Sequence, residues 1–200
     1  MQLVIASNNP KKRAEIKAIM DMLGVTVVPV EATRFVDVME DGDSFAANAR
    51  KKAESFCRAN RQPALGDDSG LCVDALDGAP GIFSSRFAGE AASDAENNAR
   101  LLEVLAGRND RGAHFVCALH LAFPDDEPPI DCEGQVDGVI LDHGEGDKGF
   151  GYDPLFFCPE LGKTFAVATP AEKARVSHRG RALRLLAEQL KRRLDSQDQL

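Results

Sequence analysis

Two adjacent carboxylates, Asp67 and Asp68, are the residues of this sequence best suited to chemistry. Like charges on neighbouring residues repel, and this repulsion is tolerated best in open solvent or beside a bound cation. A cation could keep one carboxylate ionised while the other has a shifted pKa, which suits acid-base chemistry. Gly66 precedes the pair and predicts that a short apolar strand ends there. A solvated turn is the alternative, because Asp, Ser and Gly are also turn residues.

A second candidate site is the polar turn Ser7–Arg13, which follows a short apolar segment at residues 3–6. Asn9 is a good helix N-cap and Pro10 suits the first helical position, so we expect a helix from there to Gly24. Lys11, Lys12 and Arg13 then stand in its first turn, where the helix dipole disfavours positive charge. Free helix amides and these bases together predict a phosphate site, with a solvated basic turn as the alternative.

Two further features could contribute to a ligand site. Asn48 and Lys52 are four residues apart on a helix that Ser44 is expected to cap, so they share one face. Arg86 lies in a loop of small residues, where its guanidinium could reach a phosphate. Solvated surface is the alternative for all three side chains.

A glycine-rich loop, Gly144–Pro154, presents two aromatic residues and an acid on flexible backbone. Phe150 could stack on a flat ring, and Asp153 could hydrogen-bond to it. The pattern is compatible with binding of a nucleobase but does not identify it.

Composition narrows the class of protein. The chain has 200 residues, of which 44% are hydrophobic and 28% charged, as in ordinary globular proteins. Its net charge of -8 argues against partners such as nucleic-acid polymers and anionic membranes, which need a basic face. Five widely spaced cysteines without a Cys-x-x-Cys pair favour buried thiols in a reducing compartment. Without a predicted signal peptide or membrane span, we expect a cytoplasmic protein.

The elements that must position these residues alternate between strand and helix up to residue 76, which indicates an α/β sheet. Ligand sites in such sheets lie at the carboxyl ends of strands, where both the Ser7–Lys12 turn and the aspartate pair are expected. The second half predicts antiparallel strands at 114–123, 130–136, 139–141 and 155–157. Capping boxes predict helices after Ser93 and Thr169, and a last helix is expected at about 181–194, followed by a frayed tail at 195–200.

Five segments together resemble the inosine triphosphate pyrophosphatase family, and the resemblance runs from Leu3 to about Leu190. The segments are SNNPKK (Ser7–Lys12), FAANARKKA (Phe45–Ala53), DDSGLCVDALDGAPGIFSSRFAG (Asp67–Gly89), GFGYDPLF (Gly149–Phe156) and EKARVSHRGRAL (Glu172–Leu183). The resemblance implies hydrolysis of ITP, dITP and XTP to the monophosphate and pyrophosphate. It also implies an elongated mixed sheet flanked by helices, forming one two-lobed domain over residues 1–200 with a deep central cleft, and a homodimer.

The resemblance also implies roles for individual residues. Asp68 would be the catalytic base and a ligand of Mg²⁺, with Asp67 beside it and Ser69 touching the substrate. The phosphates would be held by the turn that contains Ser7, Asn8, Asn9 and Lys12, with help from Lys52. Arg86 is added to this group because its loop of small residues could let it reach a phosphate. The base and sugar region would be received by Phe150, Gly151, Tyr152 and Asp153, and the purine would be read by Lys173, His178 and Arg179.

One departure from the family pattern concerns the metal. The family usually places a metal-binding glutamate immediately before Asn48, and this chain has Ala47 there. Without that glutamate, Mg²⁺ would rely on Asp68, Asp67, the substrate phosphates and water, and Glu54 or an acid within residues 37–43 could substitute for it. The departure leaves two alternatives open: a nucleotide-binding sensor without turnover, and a pyrophosphatase of broader specificity.

Overall fold

The computed structural model describes residues 1–22, 24–125 and 127–197. Its strands are β1 (Gln2–Ala6), β2 (Thr26–Val27), β3 (Ala64–Val73), β4 (Gly112–Ala122), β5 (Ile130–Ile140), β6 (Phe156–Cys158) and β7 (Lys163–Thr164). Its α-helices are α1 (Pro10–Met22), α2 (Phe45–Asn60), α3 (Asp94–Val104), α4 (Pro170–Val176) and α5 (His178–Gln197). Short 3-10 helices lie at Val30–Ala32, Asp74–Leu76 and Gly81–Arg86.

The strands form one seven-stranded sheet in the order β2-β1-β3-β4-β5-β6-β7. Strand β1 pairs in parallel with both β2 and β3, whereas β6 pairs antiparallel with β5 and β7. The predicted α/β class and the mixed sheet are therefore confirmed. The elongated shape, the two lobes with their cleft and the single domain over residues 1–200 stay predictions.

The chain divides into two compact units. Unit 1 contains Met1–Asp68, Cys117–Gly134 and Arg179–Leu200, and unit 2 contains Ser69–Val116 and Gln135–His178. A buried apolar cluster in unit 1 comprises Val4, Ala6, Val28, Ala53, Phe56, Cys57, Ala64 and Ala122. Unit 2 has a larger one, which includes Leu71, Leu101, Phe115, Val136, Phe156 and Phe165. Each unit thus has its own apolar core.

Local capping signals position the helices as predicted. Asn9 Oδ1 accepts hydrogen bonds from the amides of Lys11 and Lys12 at 2.9 and 3.2 Å, and α1 begins at Pro10. The hydroxyl of Ser44 caps α2 by accepting from the amide of Ala47. Both predicted capping boxes are present at the starts of α3 and α4. None of the helices in the described ranges is both long and apolar enough to cross a membrane.

Several predicted boundaries are wrong. Helix α5 begins at His178 rather than at 181 and continues to Gln197, so residues 195–197 are helical, and 198–200 lie outside the described residues. Strand β5 is continuous where two segments were expected. Strand β6 is shifted by one residue toward the C-terminus. These errors arise where tertiary packing, rather than the local pattern, decides the length of an element.

The aspartate pair lies in the middle of a strand, not at its end as predicted. Strand β3 runs without interruption from Ala64 to Val73, through Gly66, Asp67 and Asp68. Gly66 serves helix packing instead of a turn: a β-carbon built there would lie 2.0 Å from the carbonyl oxygen of Ala49 in α2. The glycine allows α2 to approach β3 closely and so brings its polar face to the aspartates.

Replacing Gly66 by alanine is expected to destabilise unit 1. The added methyl group would overlap backbone atoms of α2 that cannot rotate away, and overpacking of this kind costs about 1–3 kcal/mol. Gly144→Ala is the matched control, because its nearest contact would be the β-carbon of Pro154 at 3.4 Å. Urea unfolding of both variants tests the prediction, which is wrong if the two lose stability equally.

Candidate active site

A cluster of charged side chains in unit 1 surrounds the two aspartates. Successive residues of a strand point to opposite faces of the sheet, so Asp67 and Asp68 meet different partners. Asp67 contacts Lys12 of α1 and Arg179 of α5, whereas Asp68 contacts Lys52 of α2. Although Asp67 and Asp68 are adjacent in the sequence, their carboxylates therefore lie in two different environments.

Asp67 is held in place by three side chains. Its Oδ1 lies 2.7 Å from Lys12 Nζ, and its Oδ2 accepts from Arg179 Nε at 2.8 Å and from Cys117 Sγ at 3.1 Å. Arg179 also forms an ion pair with Glu15 of α1. Burial opposes ionisation of Asp67, but the charges of Arg179 and Lys12 outweigh it and hold its pKa well below the usual range. Asp67 is thus an ionised anchor.

The negative charge of Asp68 is compensated less strongly than that of Asp67. Its Oδ1 lies 3.1 Å from Lys52 Nζ, and its Oδ2 accepts from Asn48 Nδ2 at 3.2 Å. Burial raises the pKa of Asp68, the nearby charge of Glu40 raises it further, and Lys52 and Lys12 only partly oppose this. A carboxylate with a raised pKa in such surroundings suits a general base.

Glu40 is the acid that the structure selects from residues 37–43. Its Oε2 lies 3.1 Å from Lys52 Nζ, the same distance that separates this lysine from Asp68. Burial lowers the basicity of Lys52, but Asp68 and Glu40 outweigh it and raise the pKa of Lys52, so the ammonium stays charged. The loop that carries Glu40 is held by Asn48, whose Oδ1 accepts from the amide of Gly42 at 2.8 Å. Asn48 thus contacts Asp68 and orders this loop.

The donor set of Asp68 and Glu40 fits a magnesium ion. Mg²⁺ prefers hard oxygen ligands and commonly uses one or two protein carboxylates together with substrate phosphates and water. Two cations, Lys12 and Arg179, compensate the charge of Asp67, whereas Asp68 and Glu40 share Lys52 and so have more negative charge to offer a metal. Over the described ranges, no group of three or more His, Cys, Asp or Glu side chains is arranged to hold a metal. The set therefore fits an ion that arrives with a phosphorylated substrate.

The polar turn after β1 differs in part from its prediction. The amides of Lys11 and Lys12 are capped by Asn9, so they are not the free amides that were expected. Arg13 points back to the carbonyl oxygen of Ile5 at 2.7 Å, and Lys12 points to Asp67. The segment Ser7–Asn9, which includes Asn8, remains at least partly exposed. The basic first turn is thus explained mainly by Lys12 and its ion pair.

A second cluster lies in unit 2 around Asp153. The Oδ2 of this buried acid accepts from Lys173 Nζ at 2.7 Å and from the amide of Phe150 at 2.8 Å. The ammonium of Lys173 lies 4.8 Å from the centroid of the Phe150 ring and 5.6 Å from that of Phe165. A cation, a carboxylate and an aromatic ring therefore stand together, which suits binding of a flat polar ring.

The neighbouring residues of the same loop are fixed by hydrogen bonds. The amide of Gly151, which has a φ of +60°, donates to Asp94 Oδ2, and its carbonyl accepts from Asn98 Nδ2, both at 2.8 Å. Tyr152 is buried and donates its hydroxyl to the carbonyl of Ser84 at 2.9 Å. Burial raises the pKa of Tyr152, so this phenol stays neutral. Tyr152 anchors the loop.

The remaining predicted residues lie elsewhere. His178 is buried and stacks on Phe115, with ring centroids 4.7 Å apart. Arg86 lies with its guanidinium over Phe83 and 3.6 Å from Glu90. Ser69 is half-buried in β3. Arg179 was expected among the purine-reading residues, and the structure places its guanidinium on Asp67.

Sequence reasoning included Glu40 only as one of the acids within residues 37–43, and it did not single out four other residues near the two clusters: Glu15, Asp94, Asn98 and Cys117. Glu15 follows Lys12 by three residues on α1, so helical spacing could have indicated it. The helix that presents Asn98 was predicted, but its loop partner lies more than fifty residues away. Cys117 looks in the sequence like any buried thiol.

Comparison with known proteins gives consistent matches over nearly the whole chain. A model described as the Ham1 family matches residues 3–189. A protein of Ralstonia nicotianae named dITP/XTP pyrophosphatase is 48% identical, over 95% of this chain and 96% of the relative. A protein of Chromobacterium violaceum with the same name is also 48% identical, over 95% and 97%. The structure of a HAM1 protein from Coxiella burnetii is 40% identical and superposes with a TM-score of 0.87, covering 96% of this chain and 99% of that one.

Proposed function

The chain belongs to the Ham1 family, and on that premise we propose that it hydrolyses non-standard purine nucleoside triphosphates to the monophosphate and pyrophosphate. The substrates are ITP, dITP and XTP, in line with the names of its relatives, dITP/XTP pyrophosphatases. The observation that carries the proposal is geometric: Lys12 and Arg179 bind Asp67, while Asp68 beside it shares Lys52 with Glu40. Such an enzyme removes these nucleotides from the nucleotide pool.

Asp68 is the base of the proposed reaction. It orients a water molecule for in-line attack at phosphorus and accepts its proton, which its raised pKa favours. Mg²⁺, held by Asp68 and Glu40 together with the phosphates, would neutralise the charge that develops on the phosphate oxygens. Lys52 stands between the two acids and supplies positive charge to the same region.

Asp67 and its partners arrange the cluster. Because Asp67 is bound by Lys12, Arg179 and Cys117, it fixes the direction of Lys12 instead of accepting a proton itself. The triphosphate is assigned to Lys12, Lys52 and the turn Ser7–Asn9. The two aspartates, named together as catalytic candidates, thus divide into a base and an anchor.

The purine is assigned to the cluster in unit 2. Phe150 offers a face for stacking, and Lys173 is a fixed cation that can donate a hydrogen bond to a keto oxygen. Hypoxanthine and xanthine carry a 6-keto acceptor, whereas adenine carries a 6-amino donor that would leave both donors unpaired. Discrimination against ATP follows from this mismatch.

The remaining parts of the proposal concern assembly and location. We place the enzyme in the cytoplasm as a homodimer that acts on free nucleotides. The odd number of cysteines, the net charge of -8 and the family resemblance support these assignments. None of the five cysteines forms a disulfide.

Release of pyrophosphate from ITP, dITP, XTP, GTP and ATP, with Mg²⁺ and with a chelator, tests the proposed function. We expect metal-dependent release that favours the first three nucleotides. Equal rates on all five would indicate a pyrophosphatase of broader specificity. Binding of ITP without release would favour the nucleotide sensor, the alternative that rests on Ala47 at the usual glutamate position.

A further inference from the structure

The first two turns of helix α3 hold two loops of unit 2. The amide nitrogen of the Asn97 side chain donates to the carbonyl of Ser85 at 3.1 Å, and its oxygen accepts from the amide of Ala88 at 2.8 Å. These two bonds flank Arg86 on both sides. Asn97 itself is buried, so its contacts are shielded from competing water.

The second loop is held at Gly151, whose amide and carbonyl each form one hydrogen bond with a side chain of α3. Its amide donates to Asp94 and its carbonyl accepts from Asn98, each at 2.8 Å. Asp94 and Asn98 are four residues apart in α3, so both side chains lie on one face of the helix. Phe150 precedes Gly151, and Asp153 accepts from the amide of Phe150. Fixing Gly151 therefore fixes the ring and the acid assigned to the purine.

Asn98 is not needed by the helix itself. The start of α3 is already capped by the reciprocal bonds between Ser93 and Glu96. Asparagine is a poor residue for a helix interior, because its side chain competes for backbone hydrogen bonds. The Oδ1 of Asn98 is also buried without a hydrogen-bond partner among the described residues, which is unfavourable. The sequence keeps this asparagine despite two local costs, and breaking local rules in this way points to function.

We propose that Asp94 and Asn98 are positioning residues for nucleobase recognition, which act by holding Gly151 so that Phe150 and Asp153 receive the purine. This inference rests on the proposed function and extends it to two residues outside the substrate-binding set. Because neither residue belongs to the Asp68 cluster, their loss should weaken recognition of the base and leave the chemical step intact. The effect should appear in KM and in nucleobase preference rather than in kcat.

Steady-state kinetics of Asn98→Ala and Asp94→Ala with ITP, GTP and ATP tests the inference. We expect KM for ITP to rise about five- to tenfold in each, as for the loss of one hydrogen bond, with kcat changed less than about twofold. The preference for ITP over ATP should fall in both, because adenine lacks the 6-keto oxygen. Asp94→Asn keeps an acceptor for the Gly151 amide and should restore KM. Asn98→Asp sets an acceptor against the Gly151 carbonyl and should be at least as impaired as Asn98→Ala.

Glu96→Ala is the matched structural control. It removes the capping box from the same helix end without touching Gly151, so it should lower Tm while leaving KM and nucleobase preference unchanged. If Asn98→Ala and Asp94→Ala also lower only Tm, the two residues are merely structural and the inference is wrong.

Calorimetric titration with ITP separates this inference from the proposed function. A wild-type protein that binds ITP but releases no pyrophosphate would contradict the proposed function alone. Equal ITP affinity of the wild type and Asn98→Ala would contradict the positioning role alone. A wild-type protein that does not bind ITP would overturn both.

Discussion

Replacing Asp68 by asparagine is expected to lower kcat for ITP by about 10³-fold, the loss typical of removing a general base. Asparagine has nearly the same shape, and its side-chain oxygen can still accept from Lys52, so the fold should be retained although the bond from Asn48 Nδ2 is lost. The amide cannot accept a proton, and it is a poorer metal ligand than a carboxylate. Pyrophosphate release at saturating ITP and Mg²⁺ measures the effect, and circular dichroism verifies the fold.

Two further variants define what Asp68 does. Asp41→Asn changes an exposed acid in the loop of Glu40, whose ion pair is with the partly exposed Lys51, and should leave turnover unchanged. Glu40→Gln removes a proposed metal ligand but not the base, so it should raise the Mg²⁺ concentration needed for half-maximal activity more than it lowers kcat. Near wild-type turnover by Asp68→Asn, with the same dependence on Mg²⁺, would show that Asp68 is not the base.

The local part of the fold could be predicted from the sequence because its causes are local. Asn9, Ser44, Ser93 and Thr169 each cap the helix that their side-chain chemistry indicates. Capping depends on residues within one turn, so no tertiary information is needed. The alternation of strands and helices likewise predicted the α/β class, and the family resemblance implied the mixed sheet; the structure confirms both.

The position of the aspartates within β3 could not be predicted in the same way. Gly66 suggests the end of a strand, but glycine is required there because Ala49 of α2, seventeen residues earlier in the chain, packs against its backbone. A glycine needed for close packing and a glycine needed for a turn are identical in a sequence. Only the packed helix distinguishes them.

The charge partners were beyond sequence reasoning for a similar reason. Arg179 follows Asp67 by 112 residues, and Glu40 precedes Asp68 by 28, so no spacing rule connects them. Yet tertiary packing decides the chemistry: Arg179 lowers the pKa of Asp67, whereas burial, with a contribution from Glu40, raises the pKa of Asp68. The residues of the site could be predicted from the sequence, but the different roles of the two aspartates could not.

Replacing Arg179 by methionine is expected to lower the free energy of unfolding by about 3–5 kcal/mol, the usual loss when one partner of a buried ion pair is removed. Arg179 and Asp67 are 2% and 1% exposed, so water cannot replace the missing guanidinium. Lys12 would remain as the partner of Asp67, and Glu15 would lose its contact with Arg179. Urea unfolding in the presence of a chelator measures the loss without any contribution from a metal. Turnover should fall as well, because the pair of Asp67 and Lys12 would lose the guanidinium that holds Asp67 in place.

The pH dependence of this loss distinguishes an ionic cause from a packing defect. In the wild type the pKa of Asp67 is lowered by Arg179 and Lys12, so its pairing stabilises the protein above the unfolded pKa of about 3.9 and is lost only as pH falls through the lower folded value. In Arg179→Met only Lys12 opposes the effect of burial, so the pKa of Asp67 rises. The ionised Asp67 then opposes folding near neutral pH, and this cost disappears at lower pH, where Asp67 is protonated. The stability difference between the two proteins should therefore shrink as pH falls from about 8 to about 5, and Asp67→Asn added to Arg179→Met should recover part of the loss at neutral pH. Two results would show that Arg179 stabilises the protein by its volume and not by its charge. One is a stability difference that is constant with pH, and the other is a double variant whose loss of unfolding free energy equals the sum of the losses of the single variants.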